Sequence, residues 1–126
     1  MGTFHYPIIL HSADGKQTEK IDALVDTGAT YTRIPDNILT SLGYQAILKR
    51  RLKLASGSII ERPAGIAQIE IDGVQLPSVV IYGDPNSDPL LGAVTMEEFS
   101  VAPDPMGQRL IPVVALLMTF LKDSEN

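Results

Sequence analysis

The chain has 126 residues, with 10 lysines and arginines against 15 aspartates and glutamates, for a net charge of −5 at neutral pH. That length fits one domain, and 44% hydrophobic with 20% charged residues is the composition of a globular protein, neither disordered nor fibrous. The acidic balance argues against nucleic acid as the main partner, and the lack of cysteine excludes disulfides, thiolate catalysis and cysteine-based zinc sites.

Met1 to Pro7 has neither the basic flank nor the apolar core of a signal peptide, so a cytoplasmic protein is expected. Tyr6–His11 reads as a strand, followed by a turn at Ala13-Asp14-Gly15-Lys16. Ile21–Val25 alternates and then becomes wholly apolar, as a strand entering a core does. Thr30–Ile34 is β-branched and aromatic, another strand. Pro35-Asp36 starts a short helix with Asp36 as N-cap, Ile38, Leu39 and Leu42 on one face, and Gly43 as its stop.

Gln45–Ala55 has a sharp period of two, with Leu48, Leu52 and Leu54 to one side and Lys49, Arg51 and Lys53 to the other. Ser56-Gly57-Ser58 is a turn, and Ile59 to Ile71 returns as a second arm. Asp72-Gly73 is the strongest hairpin signal in the chain. Val74–Tyr82 is the next strand, with Val79, Val80 and Ile81 buried on both faces. A loop over Asp84–Pro89 leads to Leu90-Leu91-Gly92, then a helix over Ala93–Phe99, a short strand at Ser100–Ala102 and a turn at Asp104–Gly107. The closing apolar segment, Leu110–Leu121, contains Pro112 and is shorter than the roughly 20 residues needed to span a bilayer, so no membrane partner is expected. Many short strands with frequent turns predict a mostly β fold, a barrel or sandwich, over a single domain of residues 1–126.

The candidate chemistry lies in Asp26-Thr27-Gly28, at the end of the apolar run Ala23–Val25. An acid there leaves a hydrophobic strand and turns on a glycine; the same tripeptide is also an ordinary turn. The wider string, Leu24-Val25-Asp26-Thr27-Gly28-Ala29-Thr30, resembles the active-site signature of aspartic proteases, most closely the single-domain retropepsin type. Leu90-Leu91-Gly92 fits that family's second element, in the right order and spacing. Leu54-Ala55-Ser56-Gly57-Ser58 lies where the family has the tip of its flap hairpin, and Ile69 to Gly73 resembles the hairpin that follows. The resemblance covers roughly Ile21 to Pro112.

The resemblance implies a mostly β closed barrel with one or two short helices, and a homodimeric aspartic endopeptidase with neither metal nor cofactor. Its chemistry uses two carboxylates, one acting as base on a water while the other, protonated, donates to the peptide carbonyl. Such close acids share a proton, so activity is expected on the acid side of neutral. The chain holds a single Asp-Thr-Gly, so the pair requires Asp26 from each of two subunits. Thr27 would then brace the opposite loop, with Gly28 as further support for the site. Ala29, Thr30, Ala55, Ser56 and Gly57 would contact an extended peptide or protein substrate, and Leu90, Leu91 and Gly92 would lie under the active-site loop. Many viral relatives carry aspartate where this chain has Thr30, and their flap tips are richer in glycine. Tyr44 and Tyr82 are further candidates to line the site. The alternative is a dimerisation or peptide-binding module of the same fold with little or no hydrolysis.

Other candidates are weaker. Asp84, Asn86 and Asp88 copy the first ligands of a calcium loop, but Pro89 and Thr95 stand where glycine and glutamate belong, so a polar loop is expected. His5 and His11 lack a third metal ligand at useful spacing and are expected at the surface. Lys49, Arg50, Arg51 and Lys53 form a basic cluster, read as the solvated face of a flap arm or, more sharply, as an attractor of acidic substrates. Val113–Leu121 is too apolar to be left in water; it either joins a shared sheet at a dimer interface or packs as a helix, with Lys122–Asn126 frayed.

Overall fold

Alternating apolar residues shape most of the molecule, whose computed structural model describes residues 3–115. Among these are nine strands and two short helices: β1 (His5–His11), β2 (Thr18–Val25), β3 (Thr32–Pro35), α1 (Asp36–Ser41), β4 (Leu48–Lys53), β5 (Ile59–Ile71), β6 (Val74–Gly83), β7 (Leu90–Leu91), α2 (Ala93–Glu98), β8 (Val101–Asp104) and β9 (Arg109–Pro112). The protein is mostly β. No helix among the described residues is long and apolar enough to cross a membrane. Of the apolar segment Leu110–Leu121, residues 116–121 lie outside the described residues, as does the tail from 122 to 126.

Seven strands share one sheet in the order β1-β2-β7-β3-β6-β5-β4. Because β1 also pairs with β5 at Ile9, Leu10 and His11, the pairings run round a ring of six strands with β4 outside it. The ring is mixed: β7 runs parallel to β2, and β3 parallel to β6. β8 and β9 form a separate two-stranded ribbon.

The core follows from the period of two. Ile8 and Leu10 of β1, Ala23 and Val25 of β2, Ala67, Ile69 and Ile71 of β5 all turn inward and are buried. Leu39 from α1 and Met96 from α2 close the core. The β5–β6 hairpin turns on Asp72 and Gly73, both at positive φ (50° and 86°), as a two-residue turn of matching twist requires. β5 occupies the full Ile59–Ile71 range expected from the sequence.

Asp36 differs from expectation. It is the first helical residue of α1, and Pro35, still paired with Gly83 as the last residue of β3, stands in the cap position. With no turn between strand and helix there is no place for a side-chain cap, and the Asp36 carboxylate instead accepts a hydrogen bond from Thr40 Oγ1 at 3.1 Å. Its charge still complements the positive end of the helix.

Candidate active site

β2 carries the chain through the core as far as Val25, and Asp26 follows, half-buried, with Thr27 and Gly28 exposed beyond it. The Gly28 N–H donates to Asp26 Oδ1 at 2.9 Å, and the Ala29 N–H to the Asp26 carbonyl at 3.2 Å. The glycine acts here through space rather than left-handed backbone. A Cβ at position 28 would stand 3.1 Å from Asp26 Oδ1 and press on the carboxylate.

The loop is fastened from below. Leu90 and Leu91 of β7 pair in parallel with Leu24 and Val25, and Leu90 pairs with Arg33 of β3 on its other side. The Asp26 N–H donates to the Leu91 carbonyl at 3.1 Å. Gly92 then passes hard against β3. A Cβ there would lie 2.9 Å from the Thr32 nitrogen and closer still to the Tyr31 carbonyl, so no side chain fits. The first N–H groups of a helix lack partners within it. In α2 two of them donate to the Asp26 loop, Ala93 to the Ala29 carbonyl at 2.8 Å and Val94 to the Thr30 carbonyl at 2.9 Å.

A buried chain of hydroxyls completes the support. The Gly92 N–H donates to Thr32 Oγ1 at 3.0 Å; Thr32 and Thr95 hydroxyls lie 2.6 Å apart, Thr95 and Ser78 2.8 Å, and Ser78 donates to Glu98 Oε1 at 2.6 Å. Since Ser78 gives its proton to Glu98, Thr95 must donate to Ser78 and Thr32 to Thr95. Thr32, Ser78 and Thr95 are all buried and are satisfied only through one another and these partners. The sequence reading gives none of these hydroxyls a role at the site, and Thr95 enters it only as a residue that departs from a calcium loop. The signal was present in the alternation, which puts Thr32 on the face of Ile34 and Ser78 on the face of Val80.

The expected flap is the β4–β5 hairpin. Residues 54–58 at its tip, including Ala55, Ser56 and Gly57, are exposed. The tip closes through Leu54 N–H to the Ser58 carbonyl at 2.8 Å, with Gly57 at φ +92°. Lys49, Arg51 and Lys53 face solvent, but Arg50 does not belong with them. It shares the inward face with Leu48 and Leu52, half-buried, its guanidinium 5.9 Å from the centre of the Tyr31 ring. A run of four basic residues in five positions must straddle both faces of a strand.

Several clefts meet these elements. One of about 320 Å³ is lined by Asp26 and Thr27 with Thr3, Phe4, Pro103 and Pro105. A second, about 260 Å³, lies beneath the hairpin between Leu52, Leu54, Ile60, Arg33 and Arg62. Tyr44 and Tyr82 line a third of about 410 Å³, beside α1, to which Asp26 does not contribute. Tyr44 is chiefly a tie between strands, donating to the His11 carbonyl at 2.6 Å and accepting from the Gln68 N–H at 3.0 Å. Burial pushes the Tyr82 phenol above its ordinary range, with Asp36 and Tyr44 adding to the effect.

The remaining candidates have structural partners. Asp84 takes Arg62 in an ion pair at 2.8 Å, and its carbonyl accepts from Ser87, so the Asp84–Asp88 segment is a folded polar loop. His5 is exposed, whereas His11 is half-buried against Glu70 at 2.7 Å, because β1 and β5 pair there. Among the described residues no three His, Asp or Glu side chains gather at metal-binding distance.

The site therefore offers one partly exposed carboxylate on a rigidly held loop. A single such group can serve as a base; donating a proton at the same time requires a second acid. A family model described as gag-polyprotein putative aspartyl protease matches residues 14–98, which include the Asp26 loop, the β4–β5 hairpin and Leu90-Leu91-Gly92. No curated protein matches the chain in sequence.

Proposed function

The chain belongs to the gag-polyprotein putative aspartyl protease family, and from that premise we propose that it is a homodimeric, cytoplasmic aspartic endopeptidase. In this reading the ring of strands is a closed barrel of the retropepsin type, and Asp26 of each subunit meets the other across a two-fold axis. Two carboxylates that close cannot both ionise, so the pair holds one proton. The ionised member takes a proton from a water, which attacks the scissile carbonyl carbon. The protonated member donates to the carbonyl oxygen. Proton return to the leaving nitrogen then breaks the C–N bond. Thr27 braces the facing loop, and Ala29, Thr30 and the tip residues Ala55, Ser56 and Gly57 bind the extended peptide.

The observation that carries this reading is the fastening of the Asp26 loop. Its backbone is tied to Leu91, Ala93 and Val94, and its carboxylate is oriented by the Gly28 N–H. A carboxylate held that firmly and still partly exposed is suited to chemistry rather than to filling a core.

Cleavage of an unfolded protein by the wild type and by Asp26→Asn tests it. Asparagine keeps an oxygen for the Gly28 N–H, so the loop survives while the acid is lost. Cleavage should fall by about a hundredfold or more, the scale of a lost acid–base group. Equal cleavage by both proteins contradicts the proposal, and peptide binding without cleavage by either identifies a binding module.

A further inference from the structure

Six of the chain's ten basic residues, Arg33, Lys49, Arg50, Arg51, Lys53 and Arg62, lie on β3 and the β4–β5 hairpin. They divide into two kinds. Lys49 pairs with Glu61 at 3.8 Å and Arg62 with Asp84 at 2.8 Å, while Arg51 and Lys53 stand in water. Arg33 and Arg50 are half-buried, and among the described residues neither has a carboxylate partner. The Nε of each is fully buried with nothing to donate to. Arg33 spends one terminal nitrogen on the Asp88 carbonyl at 2.7 Å.

A half-buried guanidinium without a counter-charge is a costly arrangement, and a chain with 15 acidic residues had acids to spare for it. The structure also keeps room for these groups. The Arg33 stem lies against Gly83, where a Cβ would stand 2.9 Å from Arg33 Cγ. The cleft beneath the hairpin is lined by Arg33, Leu52 and Leu54 together with the Arg62–Asp84 pair, and Arg50 lies on the same face of β4 as Leu52. Arg50 stacks above Tyr31, two residues before Arg33 and five after Asp26.

We propose that Arg33 and Arg50 form a subsite for an acidic side chain, glutamate or aspartate, of an extended peptide held under the β4–β5 hairpin. The inference rests on the reading of the protein as a peptidase and names its substrate class. The carboxylate supplies the missing counter-charge, and a guanidinium binds it through paired N–H groups. The half-buried Leu52 beside the arginines reduces their contact with water and strengthens the pairing. Arg33 and Arg50 act as specificity residues and touch no reacting atom.

The test uses extended peptides synthesised in pairs that differ only by glutamate or glutamine near the cleaved bond. The cleaved bond is first located by mass spectrometry in a digest of unfolded protein. The wild type should cleave the glutamate member about ten- to hundredfold more efficiently in kcat/KM, the scale of one charged hydrogen-bonded contact. The ratio should shrink with added salt and collapse in Arg33→Gln and Arg50→Gln, while Arg50→Lys retains part of it. A wild-type ratio near one, or a ratio untouched by both glutamine variants, overturns the subsite. Binding of the same pairs to Asp26→Asn, followed by fluorescence anisotropy, separates the two claims. Glutamate preference in binding, with no cleavage by the wild type, supports the subsite and removes the peptidase reading. Cleavage without any preference does the reverse.

Discussion

Thr32 holds the Asp26 loop in place with one hydroxyl, which accepts from the Gly92 N–H and donates to Thr95 inside the core. Thr32→Val keeps the shape and removes both bonds, leaving a buried N–H unpaired and Thr95 without its donor. We expect a loss of about 1–3 kcal/mol in urea unfolding, with Thr32→Ser recovering most of it; a valine variant as stable as the wild type would remove the network from the account. At this scale the sequence was half legible. Asp26 and Gly28 stood out as an acid and a glycine breaking an apolar strand. Thr32, Ser78 and Thr95 did not, because threonine and serine inside β-branched runs look like ordinary strand residues until their shared burial is known. Gly28 was legible as the residue on which the chain turns, which it does; the tight space beside the Asp26 carboxylate is a second reason that only the structure shows.

The β4–β5 hairpin is only partly supported by the rest of the sheet. Residues 59–63 of β5 pair only with β4, whereas Ala64–Ile71 pair with β6, and Ile9–His11 brace β5 from the other side. Its outer half is thus a two-stranded ribbon, marginal on its own. Amide hydrogen exchange at Leu54 and Gly57 should run at least about a hundredfold faster than at Ala67 and Ile69 in the ring, as expected of an element that opens to admit a ligand. Equal protection would mean a hairpin locked to the body, unable to act as a flap. The hairpin was legible because its alternation is strong and its turn is marked by glycine. The place of Arg50 was obscured by its basic neighbours, although the alternation that put Leu48 and Leu52 inward holds for it too. β7 has only two residues, too few for any period to declare itself, so its position between β2 and β3 emerges only from the fold.

At the scale of the whole molecule, the ring of pairings was the least legible feature. Local periodicity reports which face of a strand is buried, and says nothing of which distant strand it meets. β2 and β3 are neighbours in sequence, yet β7 separates them, arriving some 60 residues later to carry Leu90 and Leu91 under the Asp26 loop. The proposed dyad has the same character one level higher: in that reading it lies in no single chain. Sedimentation at micromolar concentration should therefore show a species of twice the monomer mass, and activity that falls on dilution faster than protein concentration.

Mixing wild type with a ninefold excess of Asp26→Asn, and allowing subunits to exchange, tests the shared site most directly. If the reaction needs an acid from each subunit, most wild-type chains become trapped with an inert partner, and activity per wild-type chain falls about tenfold. If each chain carries a complete site, activity per wild-type chain is unchanged by the excess, and the account of two facing Asp26 carboxylates is wrong.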